Sequence, residues 1–268
     1  MTDIRSTFGF HATPFTREIR TQDHLAFPFF DEALAGLRRC VEARHSGALI
    51  APAGTGKTAL LRRLITALPE ARYQVRYIKV TDLSKRDLCR EIAVACDAPP
   101  AGAYSFLVRA LQERFEHAVH GEGRRPVILL DEAQDLRRDS FALVRLLTNF
   151  EMDSRLVLSL ILCGQPLLKT VLGRDDQESV ARRIHHYASL RLLSRDELVE
   201  YIQHRCTIAG AKKLPFDTGA LEALHEISRG NLRAVDGLAL TALERAALSK
   251  KTVVGAQHVA EARQELYP

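Results

Sequence analysis

Short apolar runs alternate along the chain with longer stretches in which hydrophobic residues recur at helical spacing. The five runs are Gly47 to Ala51, Val75 to Val80, Val127 to Leu130, Leu156 to Cys163 and Ser189 to Leu192. This alternation predicts βαβ units and therefore a parallel sheet flanked by helices. The runs that begin at 127 and 156 contain almost no polar residue, which is typical of strands covered on both faces. We therefore expect these two strands at the centre of the sheet.

The pattern changes from Arg195 onward, where helical periodicity continues without further strand-like runs. Asp196 and Asp217 are placed as N-caps or first-turn acids of helices, and Gly210 and Gly230 as breaks between them. The C-terminal part of the chain is therefore predicted to be an all-α domain of about four helices.

The first 30 residues contain a local concentration of phenylalanine, which we expect to pack on the core. The predicted domains are an N-terminal segment at 1–30, an α/β domain at 31–194 and a helical domain at 195–268. With 268 residues, of which 46% are hydrophobic, the chain can bury a full core in such an arrangement.

Charge and cysteine usage narrow the class of protein. A formal net charge of +5 permits attraction to nucleic acid without establishing it. The five cysteines form no C-x-x-C pair and the histidines lack metal-ligand spacing, so neither a zinc site nor a redox motif is expected. No apolar run approaches the roughly 18 residues of a membrane helix, and the start of the chain lacks the pattern of a secretory signal. We expect a cytoplasmic protein that does not span a membrane.

The segment A-P-A-G-T-G-K-T, Ala51 to Thr58, follows an apolar strand and opens a helix, which is the context that a phosphate-binding loop requires. Its glycines allow backbone N–H groups to turn around an anion, and the helix N-terminus adds partial positive charge. Lys57 is expected to reach the β and γ phosphates of ATP, and Thr58 to ligate Mg²⁺. The predicted nucleotide-binding residues of the loop are Ala53, Gly54, Thr55, Gly56, Lys57, Thr58 and Ala59.

The segment P-V-I-L-L-D-E-A-Q-D-L, Pro126 to Leu136, brings two adjacent carboxylates to the end of an apolar strand. Ligands of open α/β sheets bind at that edge. Asp131 is predicted to hold Mg²⁺ through water, and Glu132 to polarise the water that attacks the γ-phosphate. A bare D-E dipeptide also begins many solvated helices, so this interpretation depends on the preceding strand and phosphate loop.

The order and spacing of these motifs, the all-α tail and G-N-L-R at Gly230 to Arg233 resemble an AAA+ ATPase. Within that superfamily, F-G-F and P-F near the start, L-L-T-N-F-E at Leu146 to Glu151 and L-C-G-Q-P at Leu162 to Pro166 resemble one group. It contains ExeA-type ATPases and the transposition helper ATPases of the TnsC, TniB and Mu B kind. The resemblance implies an α/β fold with a five-stranded parallel P-loop sheet and a small helical lid, and hydrolysis of ATP with Mg²⁺.

The resemblance also implies roles for individual side chains. Gln165 stands where the family carries its first sensor of the γ-phosphate, although a Gln-Pro pair also simply terminates strands. Asn149 is the competing candidate and could equally be a helix C-cap. Arg233 resembles the second sensor, on the lid, although exposed helical arginines without a ligand are common.

In A-R-R-I, Ala181 to Ile184, an arginine stands where related ATPases place the finger that enters the neighbouring subunit's site. We favour Arg183 over Arg182, and the alternative is a solvated basic pair on a helix. A finger implies a homo-oligomer, either a ring or a helical filament, whose active sites lie between subunits.

T-D-L-S-K-R-D-L at Thr81 to Leu88 resembles the loop through which transposition helpers track duplex DNA. Lys85 and Arg86 are therefore candidates for phosphate contacts with double-stranded DNA. The same residues also form a serviceable helix start, with Ser84 as N-cap and Asp87 at the third helical position. Both interpretations stay open at this point.

Three functions compete for this sequence. The favoured hypothesis is an ATPase that assembles on double-stranded DNA in its ATP state and regulates a transposase or other DNA-processing protein partner. The second is an ExeA-like assembly ATPase, and the third is a nucleotide switch that acts on a protein partner without turnover. Glu132 argues against the third, because a pure switch needs no second carboxylate poised for water.

Overall fold

The computed structural model describes residues 3–16, 18–150 and 155–267. Five strands form one sheet: β1 Ser46–Ile50, β2 Tyr73–Lys79, β3 Arg125–Asp131, β4 Ser159–Gly164 and β5 Ile184–Ser189. Their order is β2-β3-β4-β1-β5, and every neighbouring pair is parallel. The predicted fold class, a five-stranded parallel sheet flanked by helices and followed by a helical region, is confirmed.

Helices follow the strands and cover the sheet. Before and between the strands lie α1 Ile4–Phe8, α2 Pro28–Glu42, α3 Lys57–Ala67, α4 Lys85–Ala95, α5 Tyr104–His120, α6 Phe141–Leu147, α7 Pro166–Leu172 and α8 Glu178–Ala181. After β5 come α9 Arg195–Ile208, α10 Thr218–Ser228, α11 Leu232–Leu248 and α12 Ala256–Leu266. The prediction of about four helices in the C-terminal region is confirmed for the described part of the chain.

The two most apolar runs are interior strands, as predicted. Every residue of β4 is buried, and in β3 only Arg125 is partly exposed. A strand that is buried on both faces has few positions that face water, so apolar residues dominate its sequence.

The fifth strand was predicted in the wrong place. The apolar run Ser189 to Leu192 largely follows β5, which spans Ile184–Ser189. β5 is an edge strand in which buried Ile184 and Ala188 alternate with exposed or half-exposed residues such as His185 and Tyr187. Because only one face of an edge strand is buried, its signal is alternation and not a continuous apolar run.

The chain forms two compact units. The sheet unit comprises Phe27–Ala53 and Lys57–Leu190, and the helical unit comprises Met1–Ala26, Gly54–Gly56 and Arg191–Pro268. The sequence analysis expected residues 1–30 to pack on the core. Contacts group the segment as far as Ala26 with the helical unit. A concentration of apolar side chains predicts burial without specifying which surface provides it.

Contacts of the N-terminal segment illustrate this grouping. The Phe15 ring lies edge-on to Phe216 with 6.1 Å between centroids, and a guanidinium nitrogen of Arg205 in α9 donates to the Thr16 carbonyl at 2.7 Å. Phe29 and Phe30 lie in the sheet unit instead, in the first turn of α2.

Helix ends in the helical unit follow their sequence signals. Asp217 is the N-cap of α10, where its side chain accepts from the Ala220 N–H at 2.7 Å. Asp196 lies in the first turn of α9, whose N-cap is Ser194 in a capping box with Glu197. These caps satisfy backbone N–H groups that have no partner within the helix.

Candidate active site

The phosphate loop has the backbone that its glycines predict. Gly54 and Gly56 have φ values of +78° and +97°, a region that residues with a Cβ seldom adopt. Lys57 follows as the first residue of α3. The loop therefore has the glycine conformations and the helix start on which anion binding at such loops depends.

Lys57 is only 6% exposed although it carries a positive charge. Its Nζ donates to the carbonyls of Ala51 and Pro52, at 3.2 Å each. None of the ion pairs of the described residues includes this ammonium group. A buried cation held by neutral carbonyls at a helix start is a group that an anionic ligand stabilises, so the loop fits a bound phosphate.

Asp131 ends β3 and is 4% exposed. Its Oδ1 accepts from the Glu132 N–H and its Oδ2 from the Tyr77 hydroxyl, both at 2.9 Å. Burial raises the pKa of Tyr77, and the bond to Asp131 raises it further, so the phenol remains a donor at neutral pH. These two bonds hold the carboxylate in one orientation. Tyr77 was missed by the sequence analysis, because a tyrosine in an edge strand carries no distinctive signal.

Mg²⁺ fits this donor set. Thr58 is exposed in the first turn of α3 and offers a hydroxyl, while Asp131 offers a carboxylate. No cluster of three or more His, Cys, Asp or Glu that could hold a metal occurs among the described residues. Mg²⁺ commonly binds through one or two protein oxygens together with substrate phosphates and waters, so it requires no such cluster.

Glu132 adopts a left-handed backbone conformation, with φ 56° and ψ 38°. Such a conformation is unusual for a residue with a Cβ and costs about 1 kcal/mol. It joins β3 to a 3₁₀ turn at Ala133–Asp135, in which the Asp135 N–H donates to the Glu132 carbonyl at 2.9 Å. Backbone strain at this residue is of the kind that clusters at functional sites.

The electrostatic surroundings keep Glu132 ionised. Burial alone would raise the pKa of Glu132, but a hydrogen bond from Gln134, the charge of Lys57, a hydrogen bond from Gln165 and the charge of Lys79 together lower it below the usual value. At neutral pH the residue is therefore a carboxylate that can accept a hydrogen bond from water.

Glu132 and Gln165 line one open cleft at the carboxyl ends of β2, β3 and β4. The other lining residues are Lys79, Val80, Thr81, Asp82 and Asp135. The predicted sensor thus lies beside the predicted water-polarising carboxylate, and Gln165 also precedes α7 directly. Asn149, the alternative sensor, follows α6, and its N–H donates to the Leu146 carbonyl at 3.4 Å. The motif containing Asn149 ends at Glu151, which lies outside the described residues.

Gln134 is a second residue that the sequence analysis missed. Its Nε2 donates to Glu132 Oε2 at 2.8 Å, and its Oε1 accepts from the Gln165 N–H at 2.9 Å. The signal was present, since Gln134 follows Glu132 by two residues within the analysed motif. Spacing alone does not reveal that the Gln134 side chain, in a 3₁₀ turn, contacts both Glu132 and Gln165.

The arginines predicted as sensor and finger lie at the ends of helices. Arg233 is exposed in the first turn of α11, and within the helical unit its N–H donates to the Gly54 carbonyl at 3.2 Å. Arg182 caps α8 and pairs with Glu178 at 2.6 Å, while Arg183 donates to the Ser179 carbonyl at 2.8 Å. Both members of the predicted pair thus lie at the end of α8 and not within it.

At the DNA candidates, the helix-start interpretation is confirmed. Ser84 is the N-cap of α4 and accepts from the Asp87 N–H. Lys85 Nζ lies 4.5 Å from the centre of the Tyr104 ring, and Arg86 donates to the Gly102 carbonyl at 3.0 Å. Both cations are therefore engaged within the chain, on a helix and not on a loop.

Comparisons with known proteins agree with this geometry. A family model described as an AAA domain matches residues 39–172, half of the chain. The chain is also 33% identical over 190 residues to the general secretion pathway protein A of Aeromonas hydrophila. That match covers 68% of this chain but only 34% of the relative, so the chain spans about a third of that protein's length.

Solved structures share the fold at low sequence identity. Cdc6p from Pyrobaculum aerophilum has a TM-score of 0.76 and 16% identity, with 97% of this chain and 70% of that one covered. The Aeropyrum pernix ORC1 protein, in complex with DNA, has a TM-score of 0.70 and 19% identity, with 94% and 68% covered. None of the helices in the described ranges has both the length and the apolar character needed to cross a membrane. On the family match, supported by the sheet order and the phosphate loop, the chain belongs to the AAA domain family.

Proposed function

We propose that the protein binds Mg²⁺-ATP at the phosphate loop and hydrolyses it to ADP and phosphate. The observation that carries this proposal is the ionised Glu132, which lies next to Asp131 in a cleft at the carboxyl ends of the strands. Lys57 would contact the β and γ phosphates, and Gln165 would sense the γ-phosphate. Thr58 and Asp131 would hold Mg²⁺, which neutralises charge on the phosphates when bound.

Glu132 has the properties of a water-positioning base. It accepts hydrogen bonds from the Gln134 and Gln165 side chains, keeps its negative charge at neutral pH and faces the cleft. A positioned base of this kind contributes about 10²- to 10⁴-fold to a rate. Asp131, in contrast, has both carboxylate oxygens engaged by Tyr77 and the Glu132 N–H, which suits a ligand and not a base.

Two substitutions test the proposal. Glu132→Gln removes the base but keeps a similar shape, so turnover should fall by about 10²-fold or more while the Kd for ATP changes little. Lys57→Ala should instead weaken ATP binding itself, because it removes the buried ammonium. Turnover and equilibrium nucleotide binding are measured for both variants. Wild-type turnover in both would exclude this site.

We also propose that the protein is a homo-oligomer in which Arg183 completes a neighbouring site as a finger. The proposal rests on the family resemblance and on the position of Arg183 at the end of α8, with Arg182 as the alternative. Mixing Glu132→Gln with Arg183→Ala tests it, because each variant would supply the group that the other lacks. Turnover in the mixture above that of either variant alone is expected, and the Arg182→Ala mixture is the matched control. No recovery in either mixture would contradict a finger in trans.

For the partner, we propose ATP-dependent assembly on double-stranded DNA and regulation of a transposase or other DNA-processing protein. The net charge of +5 and the family resemblance support this. The similarity to general secretion pathway protein A favours the alternative, an ExeA-like assembly ATPase that acts on a protein partner.

Binding to fluorescent duplex DNA with ADP, or with a non-hydrolysable ATP analogue, across a salt series separates these roles. ATP-selective binding that weakens with salt is expected for the DNA role. Lys85→Ala and Arg86→Ala should then reduce the salt dependence. An absence of binding in both nucleotide states would favour the protein-partner role.

A further inference from the structure

The side chain of Gln134 links two strand ends at the proposed site. Its Nε2 donates to Glu132 Oε2 at 2.8 Å, and its Oε1 accepts from the backbone N–H of Gln165 at 2.9 Å. One amide therefore connects the carboxylate after β3 to the first residue after β4. Both distances are those of well-formed hydrogen bonds.

Neighbouring residues leave room for the Gln134 amide and hold the turn from which its side chain extends. A Cβ on Gly164 would lie 2.8 Å from Gln134 Oε1, so the glycine at the end of β4 provides the space that the amide fills. Ala133 is fully buried, and the Asp135 N–H closes the turn on the Glu132 carbonyl at 2.9 Å. The side chain of Gln134 therefore extends from a turn that is held by the burial of Ala133 and by a backbone hydrogen bond.

We infer that Gln134 is a positioning residue for ATP hydrolysis, whose amide orients the Glu132 carboxylate toward the cleft and keeps it in register with Gln165. The inference rests on the proposed function of this site. Glu132 is only half-buried and its side chain has three rotatable bonds, so the hydrogen bonds from Gln134 and Gln165 are needed to limit the directions it can take. Displacement of a catalytic group by about 1 Å can cost 10²-fold in rate.

Glutamine satisfies both contacts at this position through the two ends of one amide. Asparagine carries the same amide on a chain one methylene shorter. Glutamate can accept from the Gln165 N–H but cannot donate to Glu132, and it adds a second negative charge there. Methionine has nearly the same length and volume as glutamine but lacks both polar groups. These differences make each bond testable separately.

Gln134→Met is the main test, with Gln112→Met as the matched control. Gln112 lies in α5, and its Nε2 donates to the Leu146 carbonyl at 3.1 Å, so the control also loses one glutamine hydrogen bond in the same unit. Gln134→Met should lower kcat by about 10- to 100-fold with a KM for ATP within about threefold of wild type. Gln112→Met should keep wild-type values of both.

Gln134→Glu separates the two bonds, because it retains an acceptor for the Gln165 N–H. Loss of kcat in both variants supports the role toward Glu132, and wild-type kcat in Gln134→Glu would overturn it. Wild-type kcat in Gln134→Met would also overturn it, provided that Glu132→Gln is inactive in the same assay. If Glu132→Gln turns over as fast as wild type, the proposed function has failed and not merely the role of Gln134.

Discussion

Arg205 provides a quantitative test of the energetics of the helical unit. Its side chain is 5% exposed and donates to the Tyr201 hydroxyl at 2.8 Å and to the Thr16 carbonyl at 2.7 Å. Its guanidinium also lies 3.4 Å from Asp236 Oδ1, and 5.7 Å from the centre of the Phe15 ring. Arg205 thus joins α9, α11 and the N-terminal segment. We expect Arg205→Met to preserve volume while it removes all of these polar contacts.

The magnitude follows from the burial of the pair. Loss of one partner of a buried ion pair costs about 3–5 kcal/mol, because the other charge stays buried without compensation. Asp236 is 24% exposed, so water can solvate it in part and the lower end applies. We expect a loss of about 3 kcal/mol in the free energy of unfolding at pH 8.

The loss should depend on pH in a defined direction. Burial raises the pKa of Asp236 from 3.8 to about 6, although the charge of Arg205 and the Tyr201 hydroxyl oppose the rise. Since the folded pKa is the higher one, the stability linked to this group is fully present below the ordinary pKa and is lost as pH rises through about 6. Without Arg205 the folded pKa rises further. The cost of Arg205→Met should therefore be roughly half as large at pH 5, where only hydrogen bonds and packing are lost.

Urea titrations at pH 5 and pH 8, read by pulsed hydrogen exchange and mass spectrometry of α9 and α11 peptides, measure this cost in the helical unit itself. Such a local readout is needed because a chain with two units need not unfold in one step. In an Asp236→Asn background, the loss in the free energy of unfolding caused by Arg205→Met should become independent of pH. Arg205→Met could instead lower the free energy of unfolding of the otherwise wild-type protein equally at pH 5 and pH 8, or by less than about 1 kcal/mol at pH 8. Either result would refute the reasoning.

Two further predictions concern the helical unit and the metal ligand. Gly230 has φ +76°, and a Cβ there would lie 2.1 Å from the Leu193 carbonyl oxygen, so Gly230→Ala should destabilise the protein by more than about 2 kcal/mol in denaturant titrations. Gly9 has φ +71° with nothing within 4 Å, so Gly9→Ala should cost only about 1 kcal/mol, and equal losses would contradict the steric explanation. Tyr77→Phe removes a hydrogen bond to Asp131 and should weaken Mg²⁺-dependent ATP binding about 3- to 10-fold by calorimetric titration. Binding without Mg²⁺ should be unchanged, and a loss of equal size there would contradict the assigned role of Asp131.

Local signals in the sequence determined the parallel sheet, its two interior strands and the phosphate loop. Each depends on residues adjacent in the chain: an apolar run for a strand covered on both faces, and glycines at Gly54 and Gly56 for positive φ. Caps such as Ser84 and Asp217 were predictable for the same reason, since a cap bonds to a backbone group three residues away. The pairing of Asp131 with Glu132 at a strand end was likewise a local pattern.

Only the tertiary structure decided which distant groups meet. It put β5 at the sheet edge, where alternation replaces a continuous apolar run, and grouped the N-terminal segment with the helical unit. Tyr77 joined Asp131 because β2 pairs with β3, and Gln134 joined Gln165 because β3 pairs with β4. Strand order depends on the packing of the whole chain, whereas a sequence motif specifies only its own backbone. The contacts that orient the carboxylates therefore could not be predicted from the sequence, although the carboxylates themselves could.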